Sequence, residues 1–138
     1  MNRSKLRENI FKLLFMTEFN GAEEMPEQLT MYFDDIEDLS EKDKMYMEAK
    51  YHHIMEREAE IDTLLNGASA GWKTSRMSKV DLTILRLAVY EMMFDEDVPV
   101  KVAINEAVEM AKKFGQDGSA SFINGILGTI SRSQAASE

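Results

Sequence analysis

Apolar residues recur every three or four positions along nearly the whole chain, and no stretch alternates with a period of two. That pattern limits the fold more than anything else here, because it buries one face of a helix and suits no half-exposed strand. Only 2 prolines and 7 glycines interrupt 138 residues. No Asn-Gly or Asp-Gly turn joins two β-branched runs: Asn66-Gly67 and Asn124-Gly125 fall in helical patterns, and Asp117-Gly118 falls between two. With 44% hydrophobic and 30% charged residues, the chain has the make-up of a core-forming globular protein.

The spacing predicts a first helix over 4–19 with Leu6, Ile10, Leu13, Leu14 and Thr17 inward, ended by Asn20-Gly21. A shorter one follows over 26–36, with Leu29, Tyr32, Phe33 and Ile36 inward. Ser40, with Asp43 three residues on, predicts the cap of one long helix reaching Asn66. Its inward set is Met47, Tyr51, Ile54, Met55, Ile61, Leu64 and Leu65. The stretch 66–71, with two glycines, is the expected boundary between an N-terminal half (about 1–67) and a C-terminal half (about 72–132). In the second half Ser78 caps a helix over 79–94 whose stripe is Val80, Ile84, Leu87, Ala88 and Met92. A helix over 101–114 ends at Gly115, and Ser119 caps the last one; the tail from Ser131 is expected to fray.

Catalysis finds no candidate. Zero cysteines exclude disulfides, thiolate zinc sites and a cysteine nucleophile. His52 and His53 are neighbours, about 100° apart on a helix, where two metal ligands need i, i+4 spacing. No phosphate-binding glycine loop and no nucleophile elbow occurs, and no metal or cofactor is expected. The start of the chain lacks the apolar stretch of a signal peptide, and no run nears the roughly 20 residues that span a bilayer. The expected setting is the cytoplasm, away from membranes.

A net charge of −9 argues against a broad nucleic-acid surface, yet the charge is unevenly spread. Glu23 to Asp62 holds most of the acid, whereas the first twelve residues carry Arg3, Lys5, Arg7 and Lys12 against Glu8 alone. Arg3, Arg7, Phe11 and Phe15 recur every four residues and so share one stripe. Guanidinium groups grip phosphates and open aromatic rings stack unpaired bases. Periodicity equally allows Phe11 and Phe15 to be core and the arginines to be solubilising. A second basic cluster, Lys112-Lys113-Phe114-Gly115, closes one helix just before another begins, where lysines also complement the helix dipole.

Residues 72–91 present Trp72, Arg76, Ser78, Val80, Asp81, Ile84, Leu85, Arg86, Ala88, Tyr90 and Glu91, and in that order and spacing they closely resemble the NusB family. Residues 98–115 continue the resemblance from Val98-Pro99 through Ala103-Ile104-Asn105-Glu106-Ala107 to Lys112-Lys113-Phe114-Gly115. Ser119 and Phe122-Ile123-Asn124-Gly125 complete it. The first helix, with Arg3, Arg7 and Leu14-Phe15, fits as well; Ser4 breaks its basic run, and Gly118 stands where relatives often have an acid. The resemblance implies an all-α fold of two small helical bundles, about seven helices, packed across each other. It implies a non-enzymatic transcription antitermination factor that binds boxA RNA with ribosomal protein NusE, within the antitermination complex of RNA polymerase on ribosomal RNA operons. RNA-binding residues carried over are Arg3, Lys5, Arg7, Phe15, Lys112, Lys113, Ser119 and Phe122; Arg76 and Asp81 are the partner-binding ones. Some relatives also form homodimers.

Two further readings are a helical protein-binding scaffold and a stand-alone relative of the domain that precedes ribosomal RNA methyltransferases. The antitermination reading expects the early stripe and the late lysine-flanked junction to form one cradle for an unpaired transcript.

Overall fold

The computed structural model describes residues 1–69 and 71–137. Ala70, in the expected boundary stretch, and Glu138, at the expected domain end, lie outside the described residues. Among those described, seven α-helices and one 3₁₀ turn make up the regular structure, and no strand occurs. They are α1 (Arg3–Met16), α2 (Met25–Asp34), α3 (Glu41–Glu56), α4 (Glu58–Ala68), the 3₁₀ turn Thr74–Arg76, α5 (Lys79–Phe94), α6 (Val100–Phe114) and α7 (Ser119–Ser137). None of the described helices is long and apolar enough to cross a membrane.

The chain divides into two compact units, Met1–Glu56 and Arg57–Glu138. The division falls earlier than the glycine-bearing stretch at 66–71, because the expected long third helix is two. Arg57 leaves helical geometry (φ −106°, ψ 9°) and separates α3 from α4. Neither proline nor glycine marks the spot. The guanidinium of Arg57 lies 4.2 Å from the centre of the Phe94 ring, and its Nη1 is 3.3 Å from Glu60. α3 is held by α1, α4 by α5 and α7, so each segment follows its own neighbours.

In the first unit α1 packs on α2 and α3 through Ile10, Phe11, Leu13, Leu14, Leu29, Phe33, Met47, Tyr51 and Ile54, all buried. Asn9 is buried among them with its polar atoms satisfied. Its Nδ2 donates to the Lys5 carbonyl at 2.9 Å, and its Oδ1 accepts from the Tyr32 hydroxyl. Burial, and then the Glu8 carboxylate, push the Tyr32 phenol above its ordinary range. α1 closes three residues before the expected end. Thr17, Glu18 and Phe19 donate to carbonyls three residues back, a 3₁₀ tightening of the last turn.

Ser40 caps α3 as expected, its Oγ accepting from the Asp43 amide at 3.1 Å. The Asp43 carboxylate receives the Met1 amine at 2.8 Å. That hydrogen bond, foremost, holds its acid below the usual carboxylate range; desolvation opposes it, while the amine's charge, Ser40 and Lys42 reinforce it. A lowered folded value stabilises the fold above the unfolded value of about 3.9 and loses that effect as the pH falls through the folded value. Melting curves of wild type and Asp43→Asn are therefore expected to differ near neutral pH and to converge in acid.

In the second unit α5 packs on α4, α6 and α7. Leu82 to Leu85 and Leu87 to Glu91 are all buried, so the helix is covered on every side rather than on one stripe. Ser78 caps it, Oγ accepting from the Asp81 amide at 3.1 Å. Arg86 ties α5 to α4 by a forked pair to Asp62 (Nε 2.9 Å, Nη2 2.8 Å), with Glu58 at 3.3 Å. Arg86→Ala leaves two carboxylates without their cation, and urea titration is expected to show a loss of about 1–3 kcal/mol. The expected frayed tail is instead helix: α7 runs through Ser137. Residues 131–137 contain no breaker, and Ala135-Ala136 favour the helix.

Candidate nucleic-acid interface

Asn2 sets the start of α1, its Oδ1 accepting from the Lys5 amide at 2.8 Å. The first turn then carries Arg3 and Lys5 and no acid, although the positive end of a helix dipole favours acids. Both cations are exposed, Lys5 with Glu8 at 3.7 Å. Their charge adds to that of the helix end and makes a local anion-attracting point on an otherwise acidic chain.

The rest of the early stripe goes under cover. Arg7 is 5% exposed and Phe11 4%. Arg7, expected to be an open phosphate contact, thus sits with the packed residues of α1, and a binding defect in Arg7→Ala must be separated from a folding defect. Phe11 is core, which the spacing also allowed. Phe15 is half-buried between two rings, stacked at 5.9 Å on Phe11 and edge-on at 5.1 Å to Phe19. Phe19, not singled out in the sequence, is 62% exposed and continues the i, i+4 ladder outward.

In the second unit Lys112 and Lys113 are exposed on the last turn of α6, Lys112 with Glu109 at 3.5 Å and Lys113 5.4 Å from the Phe114 ring centre. The turn that follows is tightly built. The Gly115 amide donates to the Ala111 carbonyl at 2.9 Å, and the Ser119 amide to the Gln116 carbonyl at 3.0 Å. Ser119 is buried, and it is the first residue of α7 rather than its cap. Its Oγ turns back to accept from the Gln116 amide at 3.0 Å, so it holds the turn. Gly118 adopts φ +88°, which glycine takes without strain. Phe122 follows one turn into α7, half-buried, with its ring edge-on to Trp72 at 6.4 Å and 80°. Trp72 is 56% exposed, and nothing in the sequence signals this pairing across roughly fifty intervening residues.

Of the two partner-binding candidates, Arg76 is exposed at the end of the 3₁₀ turn. Asp81 is 9% exposed, and its Oδ1 is buried with no hydrogen-bond partner among the described residues. His52 and His53 are exposed, and no group of three metal-binding side chains occurs among the described residues.

The family model for the NusB family matches residues 4–132. The chain belongs to the NusB family. The transcription antitermination protein NusB of Lachnoclostridium phytofermentans is 51% identical over 130 residues, 94% of this chain and 98% of that protein. A solved structure of T. maritima NusB superposes with a TM-score of 0.84 at 34% identity, covering 96% of this chain and 92% of its own. A structure of the antitermination factors NusB and NusE in complex with dsRNA has the same fold: TM-score 0.83, 20% identity, 95% and 96% covered.

Proposed function

We propose that the protein is a transcription antitermination factor that binds boxA-type single-stranded RNA together with ribosomal protein NusE and promotes read-through in ribosomal RNA operons. The observation that carries this reading is the pair of exposed cations, Arg3 and Lys5, placed at the positive end of α1 where helix stability alone would favour acids. Support comes from the relatives named as antitermination proteins and from the NusB–NusE complex with RNA. The RNA contacts are Arg3, Lys5 and Phe15 in the first unit and Lys112, Lys113 and Phe122 in the second. Ser119 shapes the turn, and Arg7 supports α1 from within. Exposed Arg76 is offered to NusE, while Asp81, whose Oδ1 is buried, would support the start of α5 rather than touch the partner through that oxygen. In this reading the protein is non-catalytic, works in the cytoplasm without a cofactor, and joins the RNA polymerase antitermination complex.

The net charge of −9 favours a second reading, a protein-binding scaffold without RNA contact. Titration of the protein alone and with NusE against boxA and scrambled RNA separates the two. Weak, salt-sensitive binding alone and clearly tighter boxA binding with NusE is the expected result; no discrimination of boxA in either sample overturns the antitermination reading. Lys112→Gln combined with Lys113→Gln is expected to flatten the dependence of log affinity on log salt by about 1.4, roughly 0.7 for each single-strand phosphate that is no longer neutralised.

A further inference from the structure

We propose that Trp72 is a base-stacking residue, forming with Phe122 a two-ring platform for an unpaired nucleobase of the bound RNA. This rests on the RNA-binding function above and adds a residue that neither spacing nor family resemblance assigned to it. Trp72 is the only tryptophan of the chain, and the residue is 56% exposed. The backbone that carries it is tied down on both sides. Its amide donates to the Ser69 carbonyl at 3.1 Å, and its own carbonyl accepts from the hydroxyl of buried Ser69. Beyond it, the Thr74 amide donates to the Asn66 side chain at 2.8 Å. Gly71, at φ +98°, supplies the left-handed step just before the indole. A large apolar ring held outward by an anchored backbone is the form of a recognition residue rather than a frayed loop.

The pair's geometry leaves room for a base. In an edge-to-face contact at 80°, one ring spends an edge and the other a face, so three of the four faces stay clear of the pair's own contact. At least one of them belongs to Trp72. Charge around it suits a polyanion. Lys73, the next residue, is exposed and has no ion-pair partner among the described residues. An unpaired base is the occupant that uses both features, stacking on the indole while its phosphate meets Lys73.

Because the indole is unique in the chain, its emission reports on its own surroundings. The test uses the full chain with NusE, titrated with single-stranded boxA RNA and, separately, with the same sequence as a duplex. Expected is saturable quenching of tryptophan emission by the single strand at the concentration where binding saturates, and less by the duplex. Trp72→Ala, with unchanged circular dichroism, should weaken single-strand binding on the order of 5- to 100-fold, and Trp72→Phe should recover most of it. If wild type binds and Trp72→Ala binds equally well, the inference fails while the RNA-binding function stands. If emission responds to NusE alone and not to RNA, the ring belongs to the protein contact and the inference is likewise overturned. If wild type with NusE binds no RNA, both fall together.

Discussion

Ile84→Ala is expected to destabilise the protein by about 2–5 kcal/mol, among the largest effects of any single truncation. Ile84 is fully buried on α5, and α5 is the helix against which α4, α6 and α7 all pack. Removing three carbons there takes away their transfer energy and leaves a cavity bounded by helices that cannot each move in to fill it. The measurement is urea denaturation followed by circular dichroism: the midpoint should fall and the slope should stay unchanged. Val102→Ala, on the exposed side of α6 at 41% exposure, is the internal comparison and should stay within about 0.5 kcal/mol of wild type. Equal losses in the two variants would mean that Ile84 does not fill a packed core position between α4, α6 and α7.

Gly115→Ala is the second large effect, about 1–3 kcal/mol or more, through crowding rather than loss. A Cβ on Gly115 would lie 2.7 Å from the Ala111 carbonyl oxygen, 2.7 Å from Ser119 Cβ and 2.7 Å from Ser119 Oγ. The first of these is backbone and cannot rotate away. The glycine is needed for space, since its backbone is extended (φ −89°, ψ −166°) and open to any residue. Ser119→Gly removes two of the three collisions, so the double variant should be more stable than the sum of the single losses implies, with a coupling of about 0.5–3 kcal/mol. Strict additivity would show that the two residues do not share the space. Lys112, Lys113 and Phe122, the RNA contacts proposed above, flank this turn, so on that reading Gly115→Ala should also weaken boxA binding at temperatures where the variant remains folded.

Helix starts marked by a serine are legible in the sequence. Ser40 and Ser78 carry their own signal, because a side-chain oxygen just before a run of periodic apolar positions has one good use. The break at Arg57 is not legible. Met47, Tyr51, Ile54, Ile61 and Leu65 keep one helical phase straight through it, while α3 packs on α1 and α4 on α5 and α7, contacts that no local pattern announces. The all-round burial of α5 is hidden by polar residues that periodicity assigns to solvent: Thr83 and Glu91 are buried, Thr83 donating to the Lys79 carbonyl of its own helix, and Arg86 is engaged by Asp62 and Glu58 of α4. Spacing alone defines the stripe of α1, and spacing cannot tell a helix edge from its packed face. Hence Arg3 lies in the open as expected, while Arg7 and Phe11 are inside. The Trp72–Phe122 pair joins a loop to a distant helix, and no local rule connects them.

The short link between α6 and α7 has one more consequence. Gly115 to Gly118 is already frozen by the bonds among Ala111, Gln116 and Ser119, and fixing a free backbone consumes about 1–2 kcal/mol of entropy per residue. On the proposed function, a transcript arriving there would meet a backbone whose disorder was surrendered when the chain folded, so association would ask little more than the ordering of the exposed lysine side chains and of the RNA itself.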